Sequence, residues 1–447
     1  MEILPAVSDE IGEIPPESST SSAGSDVEEA IYRKVRWHFV PFLMLCYAAA
    51  YLDRVNVGFA KLQMLADLGL SETVYGLGAG VFFVGYFLFE VPSNLIMHRI
   101  GARVWIARIM ITWGAISGLT IFVHTSWQLY GLRFLLGVAE AGLYPGIILY
   151  LTYWFPRARQ AQIVALFMAA IPISGIFGGP LSGWIMQVFS GLHGLSGWQW
   201  MFLLEAMPAI LVGVASIFFL DSNIREAAWL TEAEKELLKR NIRLDQPAIS
   251  NPPSLSSLFA DRRVWLMCFI YFCCVMGQYG ITFWLPTLIN AVDAKSSLQV
   301  GLLSVIPYSF TIVTMVLVGR SADWNRERRW HLAIPMALGA IGLLASTLAG
   351  ERMWLAITCL TLASSGIITS APLFWSLPTS FLTGVTAAAG IAAINSVGNL
   401  AGFVSPFVIG RLKDLTHESA TGMYLLAAVL LAGAITVLSL PKKLVNR

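Results

Sequence analysis

Six ionisable residues stand inside long apolar runs of this 447-residue chain: Asp53 and Arg54 in YLDRVN, Glu90 in FLFEVP, Arg133 and Glu140 in RFLLGVAEAG, and Glu205 in MFLLEAMP. A charge at the centre of a membrane-crossing helix costs roughly 2.5 to 3.5 kcal/mol, whereas one Leu or Phe returns only about 0.3 to 0.6. Charges retained at that cost have work to do. A carboxylate there takes up and releases protons, an arginine binds an anion, and either can lock helices together in an ion pair. Arg133, Gly137 and Glu140 follow at i, i+4 and i+7, so they share one helix face, and the glycine admits a second backbone. Asp53 and Arg54 are about 100° apart around a helix and must meet different partners. Arg54 is assigned to the negative group of a ligand and Asp53 to proton uptake and release. Glu140 reads either as a carboxylate that changes protonation during a cycle or as a fixed salt bridge to Arg133. Glu90, just before Pro92, and Glu205 lie near helix ends and read as gate or packing contacts.

The elements that must hold these groups follow from composition. Hydrophobic residues make up 56% of the chain and charged ones 13%, with a mean hydropathy of +0.68. A soluble domain carries about a quarter charged residues, so a water-soluble enzyme, a disordered chain and a secreted disulfide scaffold are excluded. A bilayer core takes about 20 apolar residues of helix per crossing. Apolar runs predict spans 1 to 6 near residues 37–58, 73–97, 103–124, 127–154, 160–187 and 199–220. Spans 7 to 12 follow near 264–290, 298–320, 331–349, 353–376, 380–409 and 419–440. The chain then divides into a disordered tail over 1–32, a six-helix bundle over 33–220, a linker over 221–263 and a second bundle over 264–447. The tail is rich in Ser, Pro, Glu and Asp and lacks the basic start and apolar centre of a signal peptide. In the linker, Thr231 and Glu234 fit a capping box, and Leu230, Leu237, Leu238 and Ile242 give a surface helix one apolar side.

The formal net charge of +2 hides an asymmetry. Apart from Arg54 and Arg133, twenty-two Lys and Arg fall in or beside the tail, the loops after even-numbered spans and the C-terminus, against five (Lys61, Lys295, Arg352, Arg411 and Lys413) at the opposite loops. Both termini and the linker are therefore predicted to be cytoplasmic. The halves also repeat: NLIMHRIGAR after span 2 matches GRSADWNRER after span 8 at an offset of 225 residues. A duplicated six-helix set with short basic turns at matching places predicts a transporter with its site between the halves. At that offset Asp53 falls on Gln278, Arg54 on Tyr279 and Glu140 on Ser365, so one half is ionic and the other neutral. Gln278, Tyr279, Trp284, Tyr308, Ser364, Ser365, Trp375, Asn395 and Asn399 are candidates for the neutral wall of a cavity. Asn395 and Asn399, at i and i+4, share a face. Gly175, Gly179 and Gly183 recur every four residues and give span 5 a smooth face for sliding or close packing. Gly76, Gly78 and Gly80 read as helix packing, since no strand precedes them. The five cysteines (Cys46, Cys268, Cys273, Cys274 and Cys359) lie in apolar runs without CxxC or metal-ligand spacing, so neither a metal nor another cofactor is required.

Taken together, AYLDRVNVGFA in span 1, YGLGAGVFFVGYFLFEVPSNLIMHRIGARVWIARI across spans 2 and 3, LRFLLGVAEAGLYPGIILYLTYWFP in span 4 and FGGPLSG in span 5 resemble the anion:cation symporter branch of the major facilitator superfamily. The resemblance runs from about Arg33 to the end and is strongest in the first half. Within that branch the chain is similar to bacterial permeases for tartrate, phthalate, 4-hydroxyphenylacetate and sugar acids. The resemblance implies proton-driven uptake of an organic anion. It places the family's span 1 aspartate and arginine on Asp53 and Arg54, its span 4 acid and arginine on Glu140 and Arg133, and a span 2 tyrosine on Tyr86. It also implies a ligand-contacting tryptophan at Trp375 and an asparagine at Asn399 or Asn395. One departure is that Asn94 and His98 replace the Gly and Asp of the usual GxxxDRxGR turn, leaving Asp323 of the second half to steady the outward-facing state.

The resulting expectation is an all-α inner-membrane carrier of twelve transmembrane helices in two pseudo-symmetric six-helix bundles (the major facilitator fold), moving a small organic anion with protons. Its partners are that anion, the proton and the lipid bilayer, with no nucleic acid, and the carrier is expected to act as a monomer. Asp53 and Glu140 couple the proton, while Arg54, Tyr86, Arg133, Gln278, Tyr279, Trp375, Asn395 and Asn399 contact the substrate. The alternatives are a proton-coupled exporter and a membrane receptor that binds without transporting. An enzyme is excluded because no nucleophile, base and orienting group occur together in the spans.

Overall fold

The structure is a computed structural model that describes residues 18–245, 261–292, 294, 296–350, 352–378 and 384–442. Twelve helices among them are long and apolar enough to cross a bilayer. Spans 1 to 6 are Asp26–Leu68, Glu72–Ile100, Ala102–Phe122, Ser126–Thr152, Leu166–Val188 and Gly197–Phe219. Spans 7 to 12 are Arg262–Asn290, Ser297–Asn325, Arg329–Thr347, Met353–Phe374, Ala393–Thr416 and Ala420–Ser439. Several are 27 to 29 residues long, more than the bilayer core needs, so their ends project beyond it.

The packing pattern repeats when six is added to each span number. Span 2 packs on 4 and span 8 on 10; span 3 on 6 and span 9 on 12; span 1 on 5 and 6, and span 7 on 11 and 12. Across the halves, span 2 meets span 11, span 5 meets span 8, and span 1 meets span 7. A fold related to itself by a two-fold axis produces this exchange, with spans 1 and 7 nearest the axis.

Three sequence expectations change. The helix that becomes span 1 begins at Ser18, so residues 18–32 of the expected disordered tail are helical. Ile31 and Tyr32 are buried there, Tyr32 receives a hydrogen bond from Asn241, and Lys34 pairs with Glu234 at 2.9 Å. The linker helix, Glu232–Asp245, thus meets the start of span 1 through Asn241 and Glu234; Leu238 in it and Leu230 before it are buried, and Leu244 is exposed. Thr231 and Glu234 do form the expected reciprocal cap. Second, span 4 is interrupted: its first helix ends at Glu140 and the next starts at Leu143, with Gly142 at φ +90°. Only glycine adopts that conformation at little cost, and it also brings the backbone against the Ser93 side chain of span 2. Third, Lys61 and Lys413 belong to spans 1 and 11 rather than to loops, and Lys61 is buried.

These two lysines close the side of the molecule opposite the termini. Glu72, the first residue of span 2, ion-pairs with Lys61 at 2.6 Å and with Lys413 of span 11 at 2.5 Å. Lys61 also lies over the Trp284 ring of span 7, 3.2 Å from its centroid. Asp414 accepts hydrogen bonds from the backbone N–H of Glu72 at 3.1 Å and of Thr73 at 2.7 Å. It therefore caps a helix that belongs to the other half, satisfying orphan donors at the positive end of span 2. Small residues extend the closure. A side chain at Gly301 of span 8 would strike the Gly179 carbonyl of span 5, and one at Gly183 would strike Ser297. Likewise Gly76 and Gly80 face Pro406 and Phe403 of span 11. The expected smooth face of span 5 is thus the seam between the halves.

Replacing Asp414 with Ala removes the cap that one half gives the other. The amides of Glu72 and Thr73 are expected to exchange with deuterium about fivefold faster, as loss of a cap of about 1 kcal/mol requires. Hydrogen exchange followed by mass spectrometry of peptides spanning residues 71–76 reads this directly.

Candidate functional site

Arg54 occupies the middle of span 1, close to the two-fold axis. It is 7% exposed, and that sliver faces a cavity between the halves. Its Nη2 forms a short ion pair with Oε1 of Glu140, which is 1% exposed, and its Nη1 donates to the Tyr279 hydroxyl at 3.2 Å. Tyr279 lies 225 residues further on, the offset of the internal repeat, so pseudo-equivalent positions meet across the axis. The guanidinium also stands over the rings of Phe82 and Tyr86, 5.5 and 5.6 Å from their centroids. Arg54 Nε and Glu140 Oε2 have no hydrogen-bond partner. The pair is therefore under-satisfied for a buried site, with hydrogen-bonding capacity left unused on both partners.

The cavity is lined by Tyr47, Tyr51, Arg54, Phe83, Tyr86 and Tyr144 from the first half, together with Met168, Ile171 and Pro172 of span 5. From the second half come Tyr271, Val275, Gln278, Tyr279, Met315, Ile368, Ala371, Pro372, Trp375, Asn395 and Asn399. Met168 and Trp375 stand at the ends of spans 5 and 10 that lie on the side of the termini. The cavity thus runs from Arg54 toward that side, opposite the Glu72 closure. Besides Arg54 to Tyr279, two hydrogen bonds cross it near the centre: Gln278 Nε2 donates to the Tyr51 hydroxyl at 2.9 Å, and Asn395 Nδ2 donates to Glu90 Oε1 at 3.3 Å.

Of the expected substrate contacts, Arg54, Tyr86, Gln278, Tyr279, Trp375, Asn395 and Asn399 all line this one cavity. Arg133 does not. It is buried inside the first bundle, 5.1 Å from the Phe82 centroid, with Nε and Nη2 unpartnered. Glu140 pairs with Arg54, not with Arg133, because Arg54 crosses the gap between spans 1 and 4 while Phe82 lies against both guanidinium groups. Asp53 points away from the cavity, as its 100° separation from Arg54 requires. It accepts from Trp113 Nε1 at 2.9 Å, from Asn56 Nδ2 at 3.2 Å, and from the Ser117 hydroxyl in a short contact. Trp284 lies under Lys61 at the far closure, Tyr308 packs against Gly175, and Ser365 faces a separate apolar groove beside spans 8 and 9. Asp323 is exposed and forms no ion pair among the described residues, so the steadying contact expected of it is not made in this conformation.

Tyr47, Tyr51, Tyr144 and Tyr271 were missed by reasoning from the sequence. A usable signal existed: Tyr47, Tyr51 and Arg54 fall at i, i+4 and i+7 and share one face of span 1. The break that ends the first helix of span 4 at Glu140 carries a weaker one in the AEAG run.

The family model of the Major Facilitator Superfamily matches residues 43–406. The chain belongs to that superfamily. A candidate tartrate transporter of Agrobacterium vitis is 49% identical over 419 residues, covering 94% of this chain and 96% of its own. A quinolone resistance transporter of Acinetobacter baumannii is 41% identical over 417 residues, covering 92% of this chain and 94% of its own. The solved D-xylose-proton symporter shares the fold, with a TM-score of 0.70 at 15% identity over 90% of this chain and 97% of its own. The chain is accordingly a multi-pass membrane transporter with a small-molecule substrate, and not an enzyme. As a member of a transporter family it is not read as a receptor that merely binds its ligand.

The network around Asp53 is open to a stability test. Trp113→Phe deletes a donor to a buried carboxylate and is expected to cost about 1.5 to 3 kcal/mol. Trp105→Phe, which deletes a bond to the neutral Ser93 hydroxyl, is expected to cost about 1 kcal/mol. Thermal unfolding of the two variants in the same detergent compares them.

Proposed function

We propose that this transporter is a proton-coupled symporter that imports a small organic anion by alternating access. The observation that carries the reading is the contact of Arg54, at the cavity wall, with the Glu140 carboxylate. A substrate carboxylate and the Glu140 carboxylate compete for one guanidinium. Protonating Glu140 weakens its hold and frees Arg54 for the substrate, and by linkage a bound anion favours the protonated acid. Asp53, one position away on span 1 and within the same bundle, is assigned the second proton.

The wall supports a hydroxylated carboxylate. Hydroxyls of Tyr51, Tyr86, Tyr144 and Tyr271 and the amides of Gln278, Asn395 and Asn399 offer hydrogen bonds around a single cation. Tyr86, Trp375 and Asn399 are assigned to the substrate directly, and Arg133 to electrostatic support of Asp53 from inside the bundle. The excess of Lys and Arg on the side of the termini supports placing that side in the cytoplasm and the protein in the inner (plasma) membrane, acting as a monomer. The described conformation is then inward-facing. In the cycle, the outward-facing carrier has Asp53 and Glu140 protonated, the anion docks on Arg54, the halves rock about the axis, and both protons leave inward with the substrate.

A proton-coupled exporter is the second reading, favoured by the name of the quinolone resistance relative. The centrally placed arginine supports the anion reading over it. Purified protein in proteoliposomes with an imposed pH gradient and a panel of labelled organic acids tests both. The wild type is expected to accumulate at least one hydroxy acid when the outside is acid. Arg54→Gln is expected to weaken anion binding by about 1.5 to 3 kcal/mol, roughly tenfold to hundredfold. Glu140→Gln is expected to bind the anion at least as tightly as wild type at neutral pH but to lose uphill accumulation. Asp53→Asn is expected to abolish accumulation, and normal proton-driven uptake in that variant removes Asp53 from the mechanism.

A further inference from the structure

Glu205 is the buried acid that the transport cycle leaves unused. It sits in span 6, 3% exposed, and faces spans 1, 3 and 5. Its Oε1 accepts from the Ser182 hydroxyl of span 5 at 2.7 Å, and its Oε2 has no donor. The side chain of Asn56, 0% exposed, lies between it and Asp53: the amide nitrogen donates to Asp53 Oδ1 at 3.2 Å, and the amide also lies alongside Glu205. Asn56 Oδ1 has no donor either. Two neighbouring groups thus each keep a buried oxygen with nothing to accept.

The charges around the pair are one-sided. Span 1 turns Asp53 toward Glu205; span 3 contributes Trp113 and Ser117, span 5 contributes Ser182, and none of these three is charged. One cation, Arg133 of span 4, acts on Asp53. Asp53 has three donors and that cation beside it. Glu205 has only neutral groups beside it, the Ser182 hydroxyl and the Asn56 amide, with a like charge beyond Asn56 and no ion pair among the described residues. Two carboxylates bridged by a single amide cannot both stay ionised in a dry bundle.

We propose that Glu205 is a neutral, proton-bearing acid and a positioning residue that orients Asp53 through Asn56. The carboxyl O–H supplies a donor for the Asn56 amide oxygen, which has none. The amide oxygen then accepts from Glu205 while the amide nitrogen donates to Asp53, and no proton passes through the amide. The proposal deepens the symport reading by resting on Asp53 as a proton carrier, but its first test is independent of transport.

Infrared spectroscopy of the full chain in lipid is expected to show the C=O stretch of a protonated carboxylic acid at neutral pH, and Glu205→Gln is expected to remove it. A spectrum unchanged by that substitution overturns the proposal, whatever the transport results. Glutamine, a neutral isostere with a donor, is also expected to rescue what alanine loses. Glu205→Ala is expected to lower proton-driven accumulation about fivefold, the worth of one buried hydrogen bond, and to move its pH profile. Glu205→Gln is expected to keep the wild-type profile. If the Gln variant instead loses proton-driven accumulation while it still exchanges anion across the membrane without a gradient, position 205 must ionise and the proposal fails. Should Glu205→Ala not fold, the Gln variant alone decides. Failure of the symport reading is seen separately, as normal accumulation in Asp53→Asn.

Discussion

The rest of the site depends on one guanidinium held near the middle of a membrane protein. Removing Arg54 from water costs several kcal/mol, and Coulomb attraction to Glu140 offsets that cost only where the geometry is close and the remaining polar atoms are satisfied. Here the contact is close, yet Arg54 Nε and Glu140 Oε2 remain without partners. A pair in this condition holds span 1 to span 4 while staying responsive to anything that supplies a proton to one partner or an anion to the other. The interruption of span 4 at Gly142 belongs to the same arrangement, because it sets Glu140 at a helix end and gives the bundle a place to adjust.

The closed side obeys a different rule. There the halves meet through backbone at Gly179 and Gly301, and through a helix cap that Asp414 lends to span 2. Glu72 between Lys61 and Lys413 adds charge pairing at the rim, where water reaches Glu72 and Lys413 more readily than Arg54 while Lys61 stays buried. Each of these contacts is a discrete fit. A seam of this kind favours two arrangements, joined or parted, over a continuum of intermediate ones.

Most of the fold was legible in the sequence because lipid demands long apolar helices and little else satisfies the backbone within it. The twelve runs, the duplication and the small-residue seam of span 5 all follow from that demand. Seven of the residues read as substrate contacts do share one cavity, since mid-span polar groups face inward far more often than toward lipid. What the sequence hid is pairing. Arg133 and Glu140 share a helix face, yet Glu140 pairs with Arg54, because which side chain crosses between helices depends on the tilt and contact of spans 1 and 4 rather than on spacing along either. Lys61 and Lys413 looked like loop charges because they sit where apolar runs fade; the helices continue through them and the chain answers with Glu72. The tail looked disordered by composition, but Ile31 and Tyr32 have the linker helix to pack against, a partner two hundred residues away.

The division between an ionic half and a neutral half gives the duplication its mechanical sense. All six ionisable groups first noticed lie in the first bundle, on spans 1, 2, 4 and 6, and among the described residues none of them makes an ion pair across the cavity. The contacts that do cross it, Arg54 to Tyr279, Gln278 to Tyr51 and Asn395 to Glu90, place a neutral group on the second half each time. Hydrogen bonds of that kind contribute about 1 to 3 kcal/mol each and exchange readily for water or for substrate oxygens. A strong ion pair across the axis would fasten the halves in one state. By replacing the partner of Arg54 with a tyrosine, the repeat keeps the charge, keeps a contact at the axis, and leaves the halves free to part there.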